Sequence, residues 1–170
     1  MKRFIIATLL LLSFSFSELI KPSDGDFLGY IHISFEWDQE PDAIEYNLQV
    51  SNTDSFDEIL LNTNESSTVY IEKDVFDWDS IFYWRVRPIY ADGVNGDWIN
   101  TSSFTIKEGI LQNMIVDSYN EDLIEDGLII YGQFLPELLM GVIDKFGNEI
   151  WNGGLPEVDH ELGILMTHVS

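Results

Sequence analysis

Cysteine is missing from all 170 residues. Its absence excludes disulfide staples, thiolate metal sites and cysteine nucleophiles together, so each folded unit must hold by packing alone. Cations are nearly as scarce, with 8 Lys and Arg against 30 Asp and Glu and a formal net charge of −22. Nucleic acid and anionic membrane surfaces are bound through Lys and Arg, so neither is an expected partner. Beyond residue 17 no apolar run reaches the roughly 20 residues that a spanning helix needs. There is no G-x-S-x-G elbow, no phosphate-cradling glycine loop, no H-E-x-x-H and no calcium loop. Asp77-Trp78-Asp79 and Ser23-Asp24-Gly25-Asp26 are too short to define a cation site. With 30 acidic residues, paired carboxylates arise by coincidence. The sequence therefore singles out no catalytic, cofactor-binding or metal-binding residue.

What is present is a folding composition, 45% hydrophobic and 14% aromatic, unlike a disordered acidic tail. The chain opens with Lys2 and Arg3, then an apolar run over residues 4–16 broken only by Thr8, Ser13 and Ser15. Ser15 and Ser17 stand where small residues precede a cleavage point, with Glu18 as the first mature residue. Residues 1–17 are expected to be a signal peptide. The mature protein is expected in the periplasm or outside the cell.

From residue 18 to about 107 the apolar period is two. Ile31, Ile33, Phe35 and Trp37 alternate with His32, Ser34 and Glu36. Tyr46, Leu48 and Val50 alternate with Asn47, Gln49 and Ser51, and Phe82, Trp84 and Val86 with Tyr83, Arg85 and Arg87. Each run reads as a half-buried strand. Turn residues at 39–42, 62–67 and 92–97 punctuate them, which predicts an antiparallel β-sandwich. Arg85 and Arg87, the arginines left after leader removal, are expected to pair with acids on the outer face. Tyr83, expected to be exposed between Trp-bearing strands, is a position from which a ring could stack on a sugar.

These residues resemble a fibronectin type III domain. Phe35-x-Trp37 falls on the second strand of that pattern and Ala43-x-x-Tyr46-x-Leu48-x-Val50-Ser51 on the third. Phe82 to Arg87 falls on the sixth, and Trp98 with Phe104 on the last. The family usually carries tyrosine where Phe82 stands, and the lost hydroxyl implies a looser corner at a cost of about 1 kcal/mol. Domains of this kind are mostly spacers or interaction modules.

The remainder, residues 108–170, also reads as β. Candidate strands fall at 114–119, 128–134, 139–143, 149–151 and 162–166. Asp144-Lys145-Phe146-Gly147 forms a type I turn signal between two of them. The meander resembles a propeller blade. The stretches Asp126 to Gly132 and Gly141 to Trp151 resemble the opening of an arylsulfotransferase-type β-propeller, a family that often sets a sandwich before its propeller. That resemblance implies sulfate-group transfer through a histidine in later blades, with small aromatic sulfate esters as substrates and glycans as an alternative. No catalytic residue carries over, since His160 and His168 lie outside any matching motif. Lys145 is the only full cation between residues 109 and 170, so an anion site is not expected here. The expected organisation is a signal peptide (1–17), a sandwich (18–107) and an incomplete meander (108–170). It would be the front of a longer exported enzyme, the alternative being a non-enzymatic surface, adhesion or carbohydrate-binding protein. On the first view Ile129, Tyr131, Met140, Val142, Ile150 and Trp151 would lie exposed.

Overall fold

The computed structural model describes residues 17–110, 120, 127–133 and 139–153. Within them the fold is all-β. Three strands, β1 (Leu19–Lys21), β3 (Ile33–Trp37) and β6 (Val69–Glu72), form one sheet in the order β1-β3-β6. Five more, β2 (Asp26–Leu28), β4 (Ala43–Ser51), β5 (Ile59–Glu65), β7 (Ser80–Tyr90) and β8 (Thr101–Ile106), form a second in the order β2-β8-β7-β4-β5. All pairings are antiparallel except β2 with β8. The inward residues of the two sheets meet as a sandwich.

The expected alternation is realised. Ile33, Phe35 and Trp37 from one sheet and Leu48, Val50, Trp84 and Val86 from the other are at most 1% exposed. Aromatic rings dominate the interior. Phe35 meets Trp84 edge-on at 5.1 Å and Phe76 meets Phe82 at 4.9 Å. Each fully buried large side chain contributes about 1.5–3 kcal/mol, which is how a chain without disulfides holds a core. Phe82 is packed in this cluster. On β4 the Tyr46 hydroxyl accepts the Glu40 N–H at 2.8 Å.

The third sheet has the order β11-β10-β9, from β9 (Ile129–Gln133), β10 (Leu139–Ile143) and β11 (Glu149–Asn152). The expected turn joins β10 to β11. The Asp144 carboxylate accepts the N–H groups of Phe146 and Asn148, both at 2.8 Å, and Gly147 takes the left-handed φ of 89°. A side chain with a Cβ is strained there, and glycine is not.

Several expectations are corrected. Residues 62–67 do not form a turn: Asn62, Thr63 and Asn64 lie within β5, and the chain bends at 66–68. Asparagine is disfavoured in strands, but cross-strand bonds to Asn47 override the propensity. Ile31 precedes β3 and is half-buried. Trp98 is not on the last strand; it precedes β8 and lies against the outer face. Ile150 is buried at 6% exposure, and Tyr131, Val142 and Trp151 are half-buried, whereas Ile129 and Met140 are exposed as expected. The leader at 1–16, the candidate strands at 114–119 and 162–166, His160 and His168 lie outside the described residues.

Candidate functional site

Among the described residues two regions bring polar chemistry together; the sequence drew attention to Asp77-Trp78-Asp79 beside the first and to Tyr83, Arg85 and Arg87 on the second, but not to the seam or the groove themselves. The first is a seam between the sandwich and the third sheet. Just after β2, the Gly29–Ile31 backbone runs antiparallel to β11. Ile31 N–H donates to the Ile150 carbonyl at 3.1 Å, Asn152 N–H donates to the Gly29 carbonyl at 2.8 Å, and Tyr30 bridges to Trp151. The sandwich thus supplies a further strand to the third sheet. Side chains reinforce the pairing. Trp78 Nε1 donates to the Glu149 carbonyl at 3.3 Å, and Glu149 Oε1 accepts the Ile110 N–H at 3.2 Å and Asn152 Nδ2 at 2.8 Å. Asn152 Nδ2 also reaches the Glu108 carbonyl at 3.3 Å. Glycines permit the approach: a Cβ on Gly29 would sit 2.7 Å from the Asn152 carbonyl oxygen, and one on Gly109 3.1 Å from Trp78 Cγ.

Beside the seam lies an open cleft of about 580 Å³, with Ile31 and Trp78 on its wall and Asp77, Asp79, Glu108 and Glu149 at its rim. Among the described residues no three acidic or histidine side chains converge as a metal site. Asp77 accepts the Trp78 N–H at 2.8 Å, and Asp24, in the other short acidic motif, accepts the Ser103 N–H and hydroxyl at 2.9 Å each. These bonds hold the Asp24 carboxyl below its usual range. They are turn and loop supports. The cleft's lining is four carboxylates, an asparagine, a glycine, Ile31 and the Trp78 ring.

The second region is the outer face of the five-stranded sheet. The register sets Asn64, Asn47 and Arg87 in one cross-strand row and Asn62, Gln49 and Arg85 in the next. Arg85 lies between two rings, 3.9 Å from the Phe56 centroid and 4.0 Å from that of Trp98, and Arg87 lies 4.5 Å from Trp98. Each such contact over an aromatic face is worth about 0.5–1 kcal/mol at exposed sites and more when desolvated. Burial, and secondarily the charge of Arg87, lower the Arg85 pKa without discharging it.

The expected pairing of these arginines with acids does not occur. Arg85 Nε and Nη2 donate to Gln49 Oε1 at 3.1 and 2.8 Å, and Arg87 Nε donates to Asn47 Oδ1 at 3.2 Å. The ion pair found among the described residues is Lys21 with Glu36. The reason is placement: β4 and β5 present amides opposite the arginines. Tyr83 is half-buried on this face, opposite Ser51 and Ser103.

Beside Arg87 runs an open groove of about 530 Å³ lined by Asn47, Asn62, Asn64, Ile89 and Asn95, with no acid on its wall. Reading residues 62–67 as a turn concealed it. The signal that could have revealed it is the alternation of Asn47, Gln49, Asn62 and Asn64 on the polar faces of adjacent strands. No protein-family model matches the chain, and no curated protein matches it.

Proposed function

We propose that the chain is exported and that residues 18–107 serve as a fibronectin type III-like spacer that carries and orients the β-unit following it. The observation that carries this reading is the seam. Backbone pairing of Gly29–Ile31 with β11, reinforced by Trp78, Glu149 and Asn152, fixes the next unit, whereas a plain linker would let it swing. The three-stranded order β1-β3-β6 facing β2-β8-β7-β4-β5 supports the fibronectin-like assignment. The same seam supports a non-catalytic role for the sandwich, since its contacts position backbone and leave no reacting pair.

The finer reading is that the β9–β11 meander opens an arylsulfotransferase-like propeller. Its support is the hairpin at Asp144–Asn148 and the order sandwich then meander. On this reading the transferring histidine and the sulfate site belong to later blades. A sulfate ester needs converging cations or N–H donors to offset desolvation, and Lys145 is the only full cation from residue 109 to 170. Reading the gene past codon 170 tests it. Continuation into repeated blade-length β units with paired histidines is the expected result. A stop codon directly after Ser170 contradicts the enzyme and leaves a secreted binding or surface protein, the reading that the groove beside Arg87 favours.

A further inference from the structure

We propose that the groove on the outer face of the five-stranded sheet binds a saccharide carrying a single carboxylate, a uronate-type sugar, with the carboxylate on Arg87 and ring hydroxyls on Asn62 and Asn64. The inference stands whether or not a propeller follows.

An arginine Nε can only donate. Arg87 Nε lies 3.2 Å from Asn47 on the side that must therefore be Oδ1. Asn47 Nδ2 then faces β5, where its two hydrogens are shared among Asn62 Oδ1 at 2.8 Å, Asn64 Oδ1 at 3.1 Å and the Thr63 carbonyl at 3.2 Å. Those two amides must present oxygen inward, so their NH₂ groups point away from Asn47. The choice between O and N, normally an assignment, follows here from the chemistry of the chain of bonds. None of these NH₂ groups, nor either Nη of Arg87, has a protein partner among the described residues. The groove offers several donors on adjacent strands about 4.8 Å apart, and its ligand must be rich in acceptor oxygens.

Three observations narrow the class. Among the described residues no carboxylate pairs with the Nη groups of Arg87. A guanidinium fork matches a carboxylate with two parallel bonds. The free amides beside it suit neighbouring hydroxyls, which accept as well as donate. A net charge of −22 disfavours polyanions, so one negative charge per ligand fits best. The volume of about 530 Å³ accommodates one or two sugar rings.

The site is also held in place. Asn47 is buried, Arg87 lies over Trp98, and the Asn95 loop is pinned by its bridge to Ile89 and by the Gly96 N–H to Pro88 carbonyl bond of 2.8 Å. Little ordering remains to be done on binding.

The test is a titration of the full chain at low salt, followed by amide chemical shifts and calorimetry. The probes are glucuronate and galacturonate, with glucose and acetate as single-feature controls. At least one uronate is expected to shift Asn62, Asn64 and Arg87 resonances, and to bind about tenfold or more tightly than glucose, which lacks the charge-assisted pair with Arg87, and than acetate, which lacks the hydroxyl bonds to Asn62 and Asn64. Asn64→Asp keeps the inward oxygen that Asn47 uses and replaces the outward donor by an acceptor. It is expected to weaken uronate binding about tenfold or more with unchanged near-ultraviolet circular dichroism. Arg87→Lys, which keeps the charge but loses the fork, is expected to act in the same direction. Acetate binding as tightly as both uronates, no shifts with any probe, or full affinity in folded Asn64→Asp overturns the proposal.

Discussion

At the scale of single residues, Trp37 and Trp84 are equally buried but differently bonded. Trp84 Nε1 donates to the Pro22 carbonyl at 3.2 Å, whereas Trp37 Nε1 has no partner. Trp84→Phe is therefore expected to cost about 1 kcal/mol more stability than Trp37→Phe, because only the first removes a hydrogen bond, leaving the Pro22 carbonyl with the longer bond from the Ser102 hydroxyl at 3.4 Å. Denaturant titration of both variants measures the difference. Glu72 gives a pH signature. Burial pushes its carboxyl up, but the Asp74 N–H at 2.8 Å, the Tyr70 hydroxyl at 2.9 Å and the N–H groups of Lys73 and Val75 outweigh burial and leave its pKa lowered. A lowered native pKa makes its contribution complete above the ordinary value of 4.5 and lost as pH falls through the native one. Glu72→Gln should flatten the acid limb of the stability curve while lowering its plateau. Tyr70 behaves inversely. Burial, then the bond to Glu72, push its hydroxyl from 10.0 up to about 12. Its contribution is whole below pH 10 and disappears towards 12, which ultraviolet titration of wild type against Tyr70→Phe can follow.

At the scale of elements, legibility depended on which face carried the signal. The core strands β3, β4 and β7 were plain in the alternation of Ile33, Phe35, Trp37, Leu48, Val50, Trp84 and Val86, because burial selects large apolar side chains at period two. β5 was not legible. Its Asn62-Thr63-Asn64 run has turn composition, and only the partner Asn47, distant in sequence, makes it a strand. The seam was equally hidden, since it rests on backbone groups of Gly29 and Ile31, which carry no side-chain signature. The seam gives a sharp prediction. Gly29→Ala places a Cβ 2.7 Å from the Asn152 carbonyl oxygen. Backbone atoms cannot yield that distance cheaply, so β11 should separate from the sandwich. Faster amide exchange at Ile31 and Asn152, with core amides of β4 and β7 unchanged, is the expected result.

At the scale of the whole molecule, the core and the seam play different parts. Every member of the main buried cluster lies between Leu28 and Ile106, and none comes from β9, β10 or β11. A chain spanning residues 18–107 is expected to unfold cooperatively and to keep its near-ultraviolet signal, with a modest loss of stability from exposed Trp78. The third sheet, by contrast, exposes Ile129 at 53% and Ile130 at 73% and relies on the sandwich for one neighbouring strand. The all-β character of both parts was legible in the sequence because both carry period-two patterning punctuated by turn residues. Their relation was not, because it depends on contacts between residues more than 70 apart, such as Trp78 with Glu149. On this reading the sandwich holds the following unit through the seam. Amide hydrogen exchange of the full chain tests it most directly. Ile31 and Asn152 are expected to be protected together, exchanging far more slowly than an unstructured chain. Exchange of both amides at the rate of an unstructured chain, with the sandwich core still protected, would contradict it.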